Sequence, residues 1–139
     1  EVGDVATDFE HRSYGDELAR CHRYFYMHAN GSESAAGSGG SGLCPIMSGG
    51  WYSSTAFVGA VQFPTRMRTA PSIYKVQGTD YFSVISNNAV DTNDAVSTNR
   101  TSTTTASVWI EGNASGTLGH GGMARTHSSS ARIGFNSEL

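Results

Sequence analysis

Long charged side chains are scarce in this sequence: Asp, Glu, Lys and Arg make up 15% of its 139 residues, and Lys75 is the only lysine. That scarcity excludes a helical bundle, whose exposed faces draw on Lys, Glu, Gln and Ala. Nine basic residues stand against twelve acidic ones, for a net charge of −3, and the basic ones are scattered. A phosphate backbone calls for a continuous basic footprint, so no nucleic acid is expected as a partner. Apolar runs are short as well. None approaches the roughly 20 residues of a membrane-crossing helix. Glu1-Val2-Gly3-Asp4 has neither the basic start nor the apolar middle of a secretory leader, and no membrane insertion is expected. Cysteine is limited to Cys21 and Cys44, which permit one disulfide without showing that it forms. Cys21 falls in a segment with an apolar face and reads as a buried free thiol. His11, His22, His28, His120 and His127 make neither an H-x-x-x-H pair nor a partner for C-x-x-C, so no metal site and no cofactor are expected.

Glycine is plentiful, with 17 residues, and Ser, Thr and Asn crowd the same stretches. A chain of this length supports one core. Residues 1–12 have no periodic apolar face and read as a connector from an upstream domain, which leaves 13–139 as the folded domain. Ser13-Tyr14-Gly15-Asp16-Glu17-Leu18-Ala19-Arg20 offers caps followed by helix formers, enough for about two turns. From Cys21 to Ala29 the period becomes 2, with Cys21, Phe25 and Met27 on one face and His22, Tyr24, Tyr26 and His28 on the other. The second face, aromatic yet polar, is expected to point outward. Residues 30–50 read as a mobile Gly/Ser loop that Trp51-Tyr52 ends. Phe57, Gly59, Val61 and Phe63 then alternate up to Pro64, which belongs at a strand end. Residues 71–76 and 81–86 flank Gln77-Gly78-Thr79-Asp80 and read as an antiparallel hairpin. Residues 86–102 hold at most short strands. Thr104, Ala106, Val108 and Ile110 share one face and leave Trp109 on the polar one. Residues 112–122 read as a flexible loop, and Ala131, Ile133 and Phe135 alternate in a closing strand. Together these signals predict an all-β fold, an antiparallel, jelly-roll-like β-sandwich with one short N-terminal helix.

Catalytic signatures are missing from this pattern. The chain has no G-x-S-x-G elbow and no aspartate locally paired with a histidine. Asp80, Asp91, Asp94 and Glu111 stand in or beside turns, where backbone geometry accounts for them. The chain is therefore not expected to be an enzyme. Neither Gly37 to Gly42 nor Gly116 to Gly122 ends in GK[ST], as a phosphate cradle would. Aromatic side chains are the remaining lead. Tyr24, Tyr26, Trp51, Tyr52, Tyr81 and Trp109 fall on polar faces or at loop ends, where a ring with a polar tip meets a wet partner. A pyranose offers such a ring its C–H face and offers nearby polar groups its hydroxyls. The expected ligand-binding residues are accordingly Trp51, Tyr52, Asp80, Tyr81, Asn88 and Trp109, and the expected subunit interface is His22, Tyr24, Tyr26 and His28.

The opening E-V-G-D-V-A-T-D-F-E-H-R-S-Y-G-D-E-L-A-R-C-H-R-Y-F-Y, from Glu1 to Tyr26, resembles the junction before the C-terminal domain of many phage tail-fibre and related virion proteins. The family pattern is close to LEVG-x-VATPFE-x-RSYGEELA-x-CQRYY. Val61-Gln62-Phe63-Pro64-Thr65-Arg66-Met67-Arg68-Thr69-Ala70-Pro71 is similar to its V-x-FP-x-x-MR-x-AP, and Ile133-Gly134-Phe135-Asn136-Ser137-Glu138-Leu139 is similar to its terminal strand. Asp8 stands where Pro is usual, and His22 where Gln is usual. The resemblance implies a terminal β-sandwich at the tip of a fibre or spike of the virion, a homotrimer acting outside the cell on host-surface polysaccharide or glycan. It also implies that the quoted motifs are scaffold and that variable loops carry specificity. The expected function is a non-enzymatic, receptor-binding glycan module for host attachment. The alternative is a structural domain that holds three chains together at the fibre end without a ligand, and a polysaccharide depolymerase comes third.

Overall fold

A computed structural model describes residues 13–33 and 43–138; the expected connector at 1–12 and the middle of the Gly/Ser stretch, 34–42, lie outside the described residues. In chain order the elements are α1 (Tyr14–His22), β1 (Phe25–Asn30), a 3-10 turn (Gly31–Glu33), β2 (Pro45–Ser53), β3 (Ala56–Gln62), β4 (Ser72–Val76), β5 (Phe82–Ser86), β6 (Ala89–Asn93), β7 (Ala95–Thr101), β8 (Thr105–Glu111), β9 (Gly121–Thr126) and β10 (Arg132–Asn136). One sheet has three strands in the order β1-β10-β4, and the other has seven in the order β6-β5-β9-β2-β3-β8-β7. All pairings are antiparallel. The chain thus forms the expected all-β sandwich with one short N-terminal helix.

Only Asp94 separates β6 from β7, yet these two strands are the opposite edges of the larger sheet. Laid flat, six strand spacings would hold those edges about 29 Å apart. One intervening residue spans no more than about 7 Å. The sheet therefore curls until its edges meet. Inside the curl lie Phe57, Phe82, Val84, Val96, Val108, Ile110 and Ala124, and the smaller sheet adds Ile133 and Phe135. Each large side chain buried here contributes roughly 1.5–3 kcal/mol.

Side chains of the smaller sheet stitch the two layers together. Lys75 Nζ, from β4, donates to the Val96 carbonyl at 2.7 Å, and Oε1 of Gln77, the residue after β4, accepts from the Val96 N–H at 3.2 Å. Edge strand β7 thereby gains partners that no ladder gives it. The segment from Phe63 to Pro71 makes the corner between the sheets. Met67 is its buried plug, with its N–H donating to the Thr103 carbonyl at 2.8 Å, and the Phe63 ring lies 4.8 Å from that of Phe135.

Several local expectations change. Helix α1 starts as read, with Ser13 Oγ accepting from the Asp16 N–H at 3.2 Å, but it continues to His22. Cys21 therefore sits on an exposed helical position rather than in the core, and both cysteines are free. The alternation read from Cys21 to Ala29 holds only from Phe25 to Met27, with its two sides exchanged, before a bulge at His28 turns Ala29 into the core. Tyr26 pairs with Phe135 and faces the core, whereas Phe25 and Met27 stand opposite Asn136 and Gly134 and face outward. A strand with rings on both sides has a period but no marked inner face.

The stretch read as loop up to Gly50 contains β2, whose Ile46, Met47 and Trp51 are buried. The expected hairpin of residues 71–76 and 81–86 does not form. Strand β4 pairs with β10, and β5 pairs with β6 and β9. The turn residues at 77–80 reverse the chain, but they carry it from one sheet to the other. Residues 86–102 hold two short strands as expected, β6 and β7, at opposite edges of the larger sheet. Asn87 and Asn88 take φ of 48° and 59°, the left-handed geometry of a tight two-residue hairpin turn between β5 and β6.

Candidate functional site

The two tryptophans separate. Trp51, expected at a loop end, is 2% exposed. Its ring meets Phe57 edge-on at 5.5 Å and its Nε1–H donates to Ser86 Oγ at 2.9 Å. Gly116 lies so close that any side chain there would overlap the indole. The Trp51 N–H donates to the His120 carbonyl at 2.9 Å, and the Gly119 N–H returns to the Trp51 carbonyl at 2.9 Å. Ser115 N–H donates to Asp91 Oδ2 at 3.1 Å. The loop between β8 and β9, read as flexible, is thus pinned over a core tryptophan.

Strand geometry sends the next residue the other way. Tyr52 is the extra residue of a bulge between Trp51 and Ser53 and stands 65% exposed on the outside of the curled sheet. Trp109, paired in register with Val58 and Ser97, points to the same side. Their rings meet edge-on, with centroids 5.1 Å apart. Trp109 Nε1–H donates to Ser107 Oγ at 3.0 Å, which fixes the indole orientation. Beside the pair is an open depression of about 270 Å³ lined by Tyr52, Val58, Asn99, Arg100, Ser107 and Trp109. A second bulge, between Thr98 and Arg100 in β7, places Arg100 opposite Ser107. Among the described residues, no hydrogen bond or ion pair engages the Asn99 amide, the Arg100 guanidinium or the Tyr52 hydroxyl.

The other expected ligand residues do not join this group, and none of them lines the depression. Asp80 is a left-handed turn residue (φ 57°) whose N–H donates to Asp94 Oδ1 at 2.8 Å. Tyr81 is half-buried against the core, and its carbonyl accepts from the His127 N–H at 2.8 Å. Asn88 serves the β5–β6 turn. Asn99, Arg100 and Ser107 were not among the expected residues. Ser107 shares the outward side of Trp109 and was legible in that sense, but the β7 bulge leaves no trace in the alternation.

The expected interface residues also divide. Tyr24 is exposed beneath the Arg68 guanidinium, 5.6 Å from its ring centroid, and His22 meets the Tyr26 ring edge-on at 5.6 Å. Tyr26 and His28 face inward, contrary to the expectation. Burial raises the Tyr26 pKa, and charge repulsion from Cys44 adds to it. Burial lowers the His28 pKa, opposed by its hydrogen bond to the Ile46 carbonyl. Because that carbonyl only accepts, His28 Nε2 carries the proton of the 2.7 Å bond, and Nδ1 accepts from the Tyr26 hydroxyl at 3.4 Å. The outside of the smaller sheet presents Phe25 and Tyr74 instead, edge-on at 5.8 Å, with exposed Val76 beside them.

Two other hollows lack this chemistry. One of about 420 Å³, lined by Thr55, Ala56, Glu111, Gly112, Asn113 and Ala114, has no ring. One of about 360 Å³ has only the imidazole of His120. Among the described residues, no group of three or more His, Cys, Asp or Glu is placed to hold a metal ion, and no helix is long and apolar enough to cross a membrane. Comparison with protein-family models, curated proteins and solved structures finds no match to the chain.

Proposed function

We propose that this chain is a non-enzymatic glycan-binding module, presented on a virion fibre or spike, that takes host-surface saccharide on the outer Tyr52–Trp109 face of its curled sheet. The observation that carries this reading is exposed Tyr52 set edge-on against half-buried Trp109, beside a depression where Asn99, Arg100 and the Tyr52 hydroxyl have free hydrogen-bonding capacity. Rings provide a surface for the C–H face of a sugar, while Asn99, Ser107 and the Tyr52 hydroxyl reach its hydroxyls. At about 270 Å³ the depression is smaller than most enclosed small-molecule pockets and suits one ring of a longer chain. Its lining contains no carboxylate, whereas glycoside hydrolysis ordinarily uses a pair of them. The virion setting rests on the resemblance of the opening, corner and terminal motifs. Trp109→Ala and Tyr52→Ala are expected to weaken binding on a glycan panel or host cells by up to about tenfold each, as lost stacking does, with both variants still folded and the melting temperature of the Tyr52 variant little changed. Unchanged binding in both variants rejects the site.

A second reading, the fibre-end assembly domain, is favoured by the apolar outside of the smaller sheet. Phe25 is 37%, Tyr74 43% and Val76 36% exposed there. A homotrimer would cover such a face. The two readings use different sheets and are compatible within one molecule.

A further inference from the structure

Which glycan the outer face prefers follows from the charges around it. We infer that the saccharide bound there is anionic, bearing a carboxylate, sulfate or phosphate group, and that Arg100 is the residue that selects it; this rests on the glycan-binding reading of the same face. Arg100 is the one charged side chain lining the depression, and its guanidinium has no partner among the described residues. A bulge in β7 puts it opposite Ser107, which stands two residues along β8 from Trp109. Bulges re-aim side chains and recur beside binding sites. The nearest carboxylate on the outward side of β8 is Glu111, which accepts from Ser97 Oγ at 3.0 Å and does not line the depression. Four residues along the strand, it stands about 13 Å from the position opposite Arg100. That exceeds the screening length of about 8 Å in physiological salt. For the same reason the chain's net charge of −3 is felt weakly at the site, where the local guanidinium dominates. The lining is also rich in donors. Trp109 Nε1–H is already committed to Ser107, so Arg100 and the Asn99 amide are the nitrogen donors left for a ligand. A planar guanidinium fork matches the paired oxygens of a carboxylate or a phosphate.

The test uses the full chain on a panel in which neutral oligosaccharides are matched by uronate-bearing, sulfated and phosphorylated counterparts. Anionic members are expected to bind about tenfold or more tighter than their neutral partners, in line with a charge-assisted hydrogen bond, and the advantage should shrink as salt rises. Arg100→Gln should abolish the preference while leaving the weaker neutral binding in place, and Arg100→Lys should restore part of it. Equal affinity within the matched pairs, or a preference that survives Arg100→Gln, overturns the inference. Trp109-dependent binding confined to neutral glycans overturns it while sparing the glycan-binding reading. Binding to no member of the panel, or to host cells, overturns both.

Discussion

The outside of the three-stranded sheet and the outside of the curled sheet both carry a pair of outward rings, and they differ in what stands beside those rings. Phe25 and Tyr74 meet over Gly134 with Val76 next to them, and the polar side chains on that side, Arg132 and Asn136, already hydrogen-bond to nearby backbone groups. Tyr52 and Trp109 meet beside Asn99 and Arg100, whose side chains remain free to exchange water for another polar molecule. An apolar patch is best covered by another apolar patch, and a second copy of the chain always has one available. Rings set among hydrogen-bonding groups suit a hydrated ligand such as a sugar. One sandwich can therefore assemble through its smaller sheet and recognise through its larger one.

Within the curled sheet, the contrast between inner and outer aromatic positions is the steepest. Trp51→Ala should cost about 3–5 kcal/mol, because a large buried ring leaves a cavity. Trp109→Ala should cost less, about 1–2 kcal/mol, because that ring is only half-buried. Urea denaturation measures both, and similar losses would mean that the two rings do not occupy opposite sides. Next in size is the effect on assembly. If the smaller sheet is the contact between copies, the double substitution Phe25→Ser and Tyr74→Ser should convert an oligomer into monomers by light scattering at micromolar concentration. A wild-type chain that is already monomeric there removes the contact.

The mildest effect concerns pH and the exchanged sides of β1. His28 is half-buried beside Phe135, and its folded-state pKa lies below its ordinary 6.5. As pH falls below 6.5 the unfolded chain takes up the proton first, so stability drops until the folded form is protonated too. The full contribution is present above 6.5. His28→Gln should flatten this part of the stability profile, and an identical acid slope in the variant would mean that the imidazole is not buried.

Much of the fold was legible where alternation was strict. Ala106, Val108 and Ile110 read as one buried side, as did Ile133 and Phe135, and all five are fully or almost fully buried. Strand β2 was hidden because Gly49 and Gly50 interrupt its pattern with residues that have no side chain to read. Gly49 is required there, since a side chain would collide with the Val58 carbonyl, but a packing requirement between neighbouring strands is invisible along one of them. Missing β2 also misplaced Trp51: adjacent residues in a strand face opposite ways, so one member of Trp51-Tyr52 had to be internal. Of the candidate site, Tyr52 and Trp109 were legible as outward rings. Arg100 was not, because its place depends on the bulge at Asn99 and on strands brought together from distant parts of the chain.

The chain has two tryptophans, and in a nitrogen–proton correlation spectrum their indole N–H groups give two separate signals. Titration with a bound oligosaccharide should shift and broaden the Trp109 signal while leaving that of Trp51 in place. Saturable binding that moves neither signal, or moves Trp51 alone, would contradict recognition on the outer face of the curled sheet.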